Sequence, residues 1–230
     1  MKQINIKYKK ALAPTAVVLV LMFILYWKRK QITEVLKVDD MNSKAGVAHA
    51  KKNTQLFWNS IQYFKAYEFD SSYLKDSGYL MKPHFIRLLD EARARVGFPI
   101  SISSGFRTRS HNNSIVNKNG VKYSATDSPH LYGIAADLVT DSKADTIALM
   151  TALLDIRNEK YPDMHLGIGV YGSSSRSGGY FIHVDTREHR LGLAKRDAHW
   201  TGNSYPSGGY RMLPSSDLRL FDGIYNSRKK

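Results

Sequence analysis

Side chains able to do chemistry gather in three stretches of this sequence, each at the end of a short apolar run. They are Ser103-Ser-Gly-Phe-Arg-Thr108, Ser128-Pro-His-Leu-Tyr-Gly-Ile-Ala-Ala-Asp137 and Phe181-Ile-His-Val-Asp-Thr186. His130 and Asp137 stand seven positions apart. On one continuous strand an odd separation sends two side chains to opposite faces. Gly133 offers a turn between them, after which both can face one point. Asp137 lies between Ala136 and Leu138, and a carboxylate in such company needs a partner or a metal ion. His183, between Ile182 and Val184, is placed in the same way. Two histidines, one carboxylate and a water in the fourth position make a catalytic zinc arrangement. The same residues also allow a plainer arrangement, a hydrogen-bonded His130–Asp137 pair with His183 satisfied inside the core. Spacing alone leaves both open.

The elements that would position these residues can be read from periodicity. Phe57, Ile61 and Phe64 recur at helical spacing in 54–67. A stronger helix is expected over 82–96, with Pro83 in its first turn and Gly97 as its C-terminal cap. Pro99-Ile-Ser-Ile-Ser alternates as a strand, and 134–139 reads as another. Asp141 is positioned to cap a helix over 142–157. Residues 165–171 and 180–185 read as two strands joined by a Gly/Ser-rich loop. This order predicts an α+β domain over 54–200, a small antiparallel sheet with flanking helices; a zinc site, if His130, Asp137 and His183 form one, would lie on that sheet. Residues 31–53 read as a polar linker, and 201–230, rich in Gly, Ser, Pro and Tyr, as an irregular tail.

The chain has 230 residues, no cysteine and a net charge of +14. Without cysteine, disulfides, thiolate nucleophiles and Cys-ligated metals are excluded, so any metal must use histidine and carboxylate. Lys2, Lys7, Lys9, Lys10, Lys28, Arg29 and Lys30 supply half of the net charge and flank an uncharged run from Ala11 to Trp27. As a helix that run spans about 25 Å, near the roughly 30 Å of a hydrocarbon core. Tyr26 and Trp27 suit its interface. Residues 1–30 are therefore expected to be one transmembrane anchor with basic flanks, uncleaved because no small-residue cleavage site follows the run. The basic residues beyond it are scattered, apart from Arg187, Arg190, Lys195 and Arg196. No nucleic-acid partner is expected, since that needs basic and aromatic residues interleaved on one face.

From about Leu80 to Trp200 the chain resembles the zinc D-Ala-D-Ala carboxypeptidase superfamily, which includes phage endolysin peptidases, vancomycin-resistance dipeptidases and the hedgehog signalling domain. The likeness is to its branch of murein endopeptidases and phage-type peptidases. It rests on SGFRTRSHN (104–112), SPHLYGIAAD (128–137), GIGVY (167–171) and YFIHVDTR (180–187), in that order. The resemblance implies His130, Asp137 and His183 as Zn2+ ligands. It implies Arg107 as the cation that holds the substrate's carboxylate or polarises its scissile carbonyl. Ser128 would shape the binding loop beside the substrate and Asn112 would brace it. The pattern departs at the general base. Many members carry an acid three residues before the last histidine, where this chain has Tyr180, and hedgehog-like members one six before, where it has Ser177. Asp185 is the nearest candidate, as base or as support for a ligand histidine, with His165, Glu188 and His189 as further candidates; His111 and His199 read as structural. The implied activity is cleavage of peptidoglycan stem peptides or crosslinks. The implied place is the outer side of the cytoplasmic membrane, on a single-pass anchor with its N-terminus inside, or a phage-encoded role. An inactive zinc-binding module that holds wall peptide or a protein partner is the alternative.

Overall fold

The computed structural model describes residue 26 and residues 42–229, except 117–119, 121, 123, 173–179, 188–195 and 203–212. The chain divides into a unit Met1–Asp40 and a unit Met41–Lys230, and the sheet with its helices belongs to the second. The expected anchor lies outside the described residues, apart from Tyr26. Among the described residues no helix is long and apolar enough to cross a membrane.

The first helix, α1, runs Lys44–Asn59, and Ser43 caps it by accepting from Gly46 N at 3.0 Å. It starts inside the expected linker and ends before Ile61 and Phe64. Those two residues still enter the core, from the turns after the helix. Helix α2, Pro83–Val96, begins and ends as its proline and glycine dictate, with Gly97 left-handed at φ 77°. Phe85, Ile86, Leu88, Leu89 and Ala92 form its buried face. Strand β1 (Ser101–Ser104) leads into the short helix α3 (Arg109–Ser114), capped by Thr108. Strand β2 (Ala135–Val139) is followed by α4 (Lys143–Lys160), whose cap is Ser142 rather than Asp141. Strands β3 (Leu166–Gly172), β4 (Tyr180–Thr186) and β5 (Ala198–Thr201) complete the sheet. The stretch expected to be irregular contains a final helix, α5, Ser215–Asn226, which buries Asp217, Phe221 and Tyr225.

The five strands stand in the order β1-β2-β4-β3-β5. The sheet is mixed, which corrects the expectation of a wholly antiparallel one: β5 pairs with β3 in parallel. A parallel partner needs a crossover connection, and no periodic signal marked one after residue 186. Alternation then splits the sheet into two unlike faces. Ala136, Leu138, Ile182, Val184, Leu166, Ile168 and Val170 are buried on one face, in the same core as Leu149, Leu153 and Ile156 of α4. The other face carries a row of directly paired residues, one from each strand: Ser104, Asp137, His183, Gly169 and Trp200.

Candidate metal centre

Three elements deliver the donors. His130 sits in a 3-10 turn, Pro129–Tyr132, which Gly133 ends at φ 68°. A Cβ on Gly133 would lie 2.4 Å from the Leu80 carbonyl oxygen, so both the conformation and the space demand glycine. This turn lets His130, 1% exposed, fold back over the sheet to meet Asp137. Asp137 on β2 and His183 on β4 are register partners.

The donor atoms form a tight triangle. His183 Nδ1 is 2.9 Å from Asp137 Oδ1. His130 Nε2 is 3.2 Å from His183 Nδ1 and 3.4 Å from Asp137 Oδ1. Donors at about 2.0–2.1 Å from a tetrahedral zinc ion stand about 3.3 Å apart, so the triangle has the size such an ion requires. Among the described residues these three are the group that could hold a metal ion.

Each candidate ligand is also fixed from behind. His130 Nδ1 lies 2.6 Å from the Gly105 carbonyl oxygen, to which it donates, leaving Nε2 as the lone-pair nitrogen. Arg107 donates from Nη2 to Asp137 Oδ2 at 2.6 Å, which turns Oδ1 toward the histidines. His183 Nε2 lies 3.2 Å from Asp185 Oδ2. The protons of the cluster follow from this crowding. Burial, then the Arg107 charge, lowers His130 to about 4. Burial opposes charge on His183 as well, but its bonds to Asp137 and Asp185 win and push it up to about 9. Burial works against charge on Asp137 too, yet His130, His183 and Arg107 outweigh it and hold the carboxyl well below the usual range. With no metal bound, the site is therefore held by an imidazolium between two carboxylates.

The remaining sequence candidates fall in definite places. Arg107 donates from Nε to Ser104 Oγ at 2.8 Å as well as to Asp137, so it holds a carboxylate of the candidate metal site. A bulge between Ile102 and Ser104 aims Ser104 at that contact. Ser128 is 4% exposed, with little surface to offer a substrate, and its carbonyl accepts from Leu131 N at 3.0 Å. Asn112 is fully buried and donates to the Ala125 carbonyl at 2.9 Å. Asp185, 2% exposed, touches the nitrogen of His183 that points away from the donor triangle. That contact is of the kind a carboxylate makes when it buttresses a histidine. Tyr180, three residues before His183, follows strand alternation to the opposite face. There its hydroxyl donates to Asp217 and its ring meets Phe221 at 5.9 Å. His165 Nδ1 stands 3.6 Å from Asp197, and Nδ1 of His111 lies 2.9 Å from the Ser71 hydroxyl. His199 packs against Tyr225 of α5. Ser177, Glu188 and His189 lie outside the described residues.

Sequence reasoning did not single out the aromatic side chains of the site face, Trp200, Tyr171 and Phe181. The signal for them was Gly169, a glycine within an otherwise apolar strand, which marks a close approach on that face.

The family model described as Peptidase M15 matches residues 34–185. The chain belongs to this family, within the zinc D-Ala-D-Ala carboxypeptidase-like superfamily. No curated protein and no solved structure matches the chain.

Proposed function

We propose that this protein is a zinc peptidase that cuts peptide bonds in the stem peptides or crosslinks of peptidoglycan, as a D,D-carboxypeptidase or endopeptidase. We place it on the outer side of the cytoplasmic membrane, on the basic-flanked segment 11–27. The observation that carries the reading is the donor triangle with all three ligands fixed from behind. A hydrogen-bonded trio could meet the same distances, but it would set Nε2 of His130, whose ring proton goes to Gly105, against Asp137 Oδ1 at 3.4 Å as two acceptors, which a zinc ion between them resolves. When bound, zinc supplies Lewis acidity, polarising a carbonyl and lowering the pKa of a water molecule.

The chain's own residues do the rest. Gly105 and Asp185 hold the two imidazoles in the tautomers that offer Nε2 of His130 and Nδ1 of His183. Arg107 fixes Asp137 and adds a permanent positive charge beside the centre, where negative charge develops on the carbonyl oxygen of the amide. This reading gives Asp185 the role of supporting His183, by its contact with Nε2, and leaves Glu188 and His189, which follow β4 in the sequence, as candidates for the proton acceptor. The direct test is release of soluble fragments from dye-labelled peptidoglycan by the full chain, with His183→Ala as control. Release by the wild type and none by the variant supports the reading. No release by a zinc-loaded wild type contradicts it.

The second reading, a zinc-loaded module that binds wall peptide without cutting it, is favoured by one feature. Tyr180 occupies the usual position of the acid and is committed to Asp217 on the far face. It predicts saturable binding of wall peptide with no turnover.

A further inference from the structure

Beside the donor triangle the sheet carries a patch of aromatic rings that the ligand arrangement does not use. Trp200 pairs in register with Gly169, which pairs with His183, so the indole lies on the ligand's own row. The Trp200 and His183 rings are 5.5 Å apart. A Cβ on Gly169 would stand 2.4 Å from Trp200 Nε1 and 2.9 Å from Tyr171 Cε2, so the bare backbone here is what lets both rings lie down across β3. Trp200 donates from Nε1 to the Tyr171 hydroxyl at 2.6 Å. Tyr171 in turn stacks on Phe181, with centroids 4.5 Å apart and planes within 4°. All three rings are partly exposed.

The position of this patch is fixed with unusual firmness for an edge strand. Asp197, just before β5, accepts from Leu166 N at 2.9 Å and from Arg157 of α4 at 2.6 Å. Arg157 and Asp197 have side chains 0% and 3% exposed. That buried pair pins the start of β5 to the start of β3 and so sets the register that puts Trp200 over Gly169. On the opposite face His199 stacks on Tyr225 with centroids 4.9 Å apart, tying the same strand to α5.

We propose that Trp200, Tyr171 and Phe181 form the floor of a substrate subsite, which binds an uncharged aliphatic side chain flanking the bond to be cut, with Trp200 as its specificity-determining residue. This rests on the peptidase reading above. The chemistry of the floor selects its ligand. Its polar atoms are joined to each other, indole N–H to phenol oxygen, so it presents carbon faces. The Arg187 guanidinium, 5.8 Å from the Trp200 ring, stands 3.5 Å from Asp185 and is offset by it. A methyl or short alkyl group gains contact there, whereas a charged side chain loses water without gaining a partner. Arg107 stands on the β1 side of the metal row and Trp200 on the β5 side, so the substrate lies across the strands between them.

The test uses the full chain in detergent and wall peptides that differ at one residue beside the scissile bond, alanine, glycine or aspartate, varied on each side in turn. On one side the wild type should prefer alanine over glycine roughly tenfold in kcat/KM, the scale of one buried methyl group. Trp200→Ala should reduce that ratio to about one, and Trp200→Phe, which keeps a ring, should retain most of it. A second readout needs no turnover. In metal-free protein the Trp200 indole N–H resonance, identified by its loss in Trp200→Phe, should shift on titration with the alanyl peptide and not with the aspartyl peptide. A wild type that cuts wall peptide, with the alanine ratio unchanged in Trp200→Ala or the indole signal unmoved by the alanyl peptide, overturns this inference alone. A wild type that neither cuts nor binds any of the peptides overturns the peptidase reading along with it.

Discussion

Raising the pH should destabilise the metal-free protein and leave the zinc-bound one nearly unchanged, and the difference follows from His183. In the metal-free site its imidazolium lies between Asp137 at 2.9 Å and Asp185 at 3.2 Å, which raises it to about 9. An unfolded chain holds the same proton with a pKa of about 6.5. The contribution is therefore complete below about pH 6.5 and is lost as the pH rises through about 9. The side chain is only 12% exposed, so solvent screens the interaction little. Two and a half pH units correspond to about 3 kcal/mol, counted once for the His183–Asp137 pair. Zinc removes this slope, because it needs Nδ1 of His183 without that proton and the unfolded chain has also lost it above about pH 7. At pH 7 the proton must first be displaced, at a cost of roughly 100-fold in apparent affinity, and that cost vanishes as the pH approaches 9. Thermal unfolding of the full chain at pH 6.5 to 9.5, with zinc and with chelator, measures both slopes. Calorimetry at pH 7 in buffers of different ionisation enthalpy should count about one proton released per zinc bound. Parallel slopes, or no proton released, would refute this account of the cluster.

Three further outcomes are expected from the fold. Asp197→Ala leaves the Arg157 guanidinium buried without its carboxylate, and should cost about 3–5 kcal/mol in denaturant unfolding. Gly133→Ala forces a Cβ against the Leu80 carbonyl in a left-handed turn. It should lower stability by about 2 kcal/mol or more and weaken zinc binding by displacing His130, both measurable in one zinc titration followed by thermal unfolding. Tyr180→Phe removes the hydrogen bond to Asp217 on the far face, so it should cost about 1 kcal/mol of stability and leave peptidoglycan turnover unchanged. A large loss of turnover there would mean that the phenol acts on the substrate.

The parts of this protein that were legible from sequence are those where local chemistry decides. Pro83 and Gly97 bound α2 at the expected places, and alternation gave β2, β3 and β4 within a residue. Gly133 marked the turn that lets His130 and Asp137 converge across an odd separation. What was hidden depends on contacts far apart in the chain. Strand β5 has four residues and owes its register to Asp197 meeting Arg157, forty positions away, so no local pattern announces it. Helix α5 lies in a stretch whose Gly and Pro content reads as irregular, and it is held by Phe221 and Tyr225 reaching the core. Which nitrogen of His183 Asp185 touches is likewise set by side-chain geometry that spacing along the chain does not reveal.

Mass spectrometry of muropeptides after digestion of purified peptidoglycan, with and without a zinc chelator, tests the central claim most directly. A zinc peptidase should yield defined peptide products from the full chain, lost with chelator, restored by added zinc, and absent when His130, Asp137 or His183 is replaced by alanine. An unchanged muropeptide profile from zinc-loaded protein, or the same products with the chelator present, would contradict it.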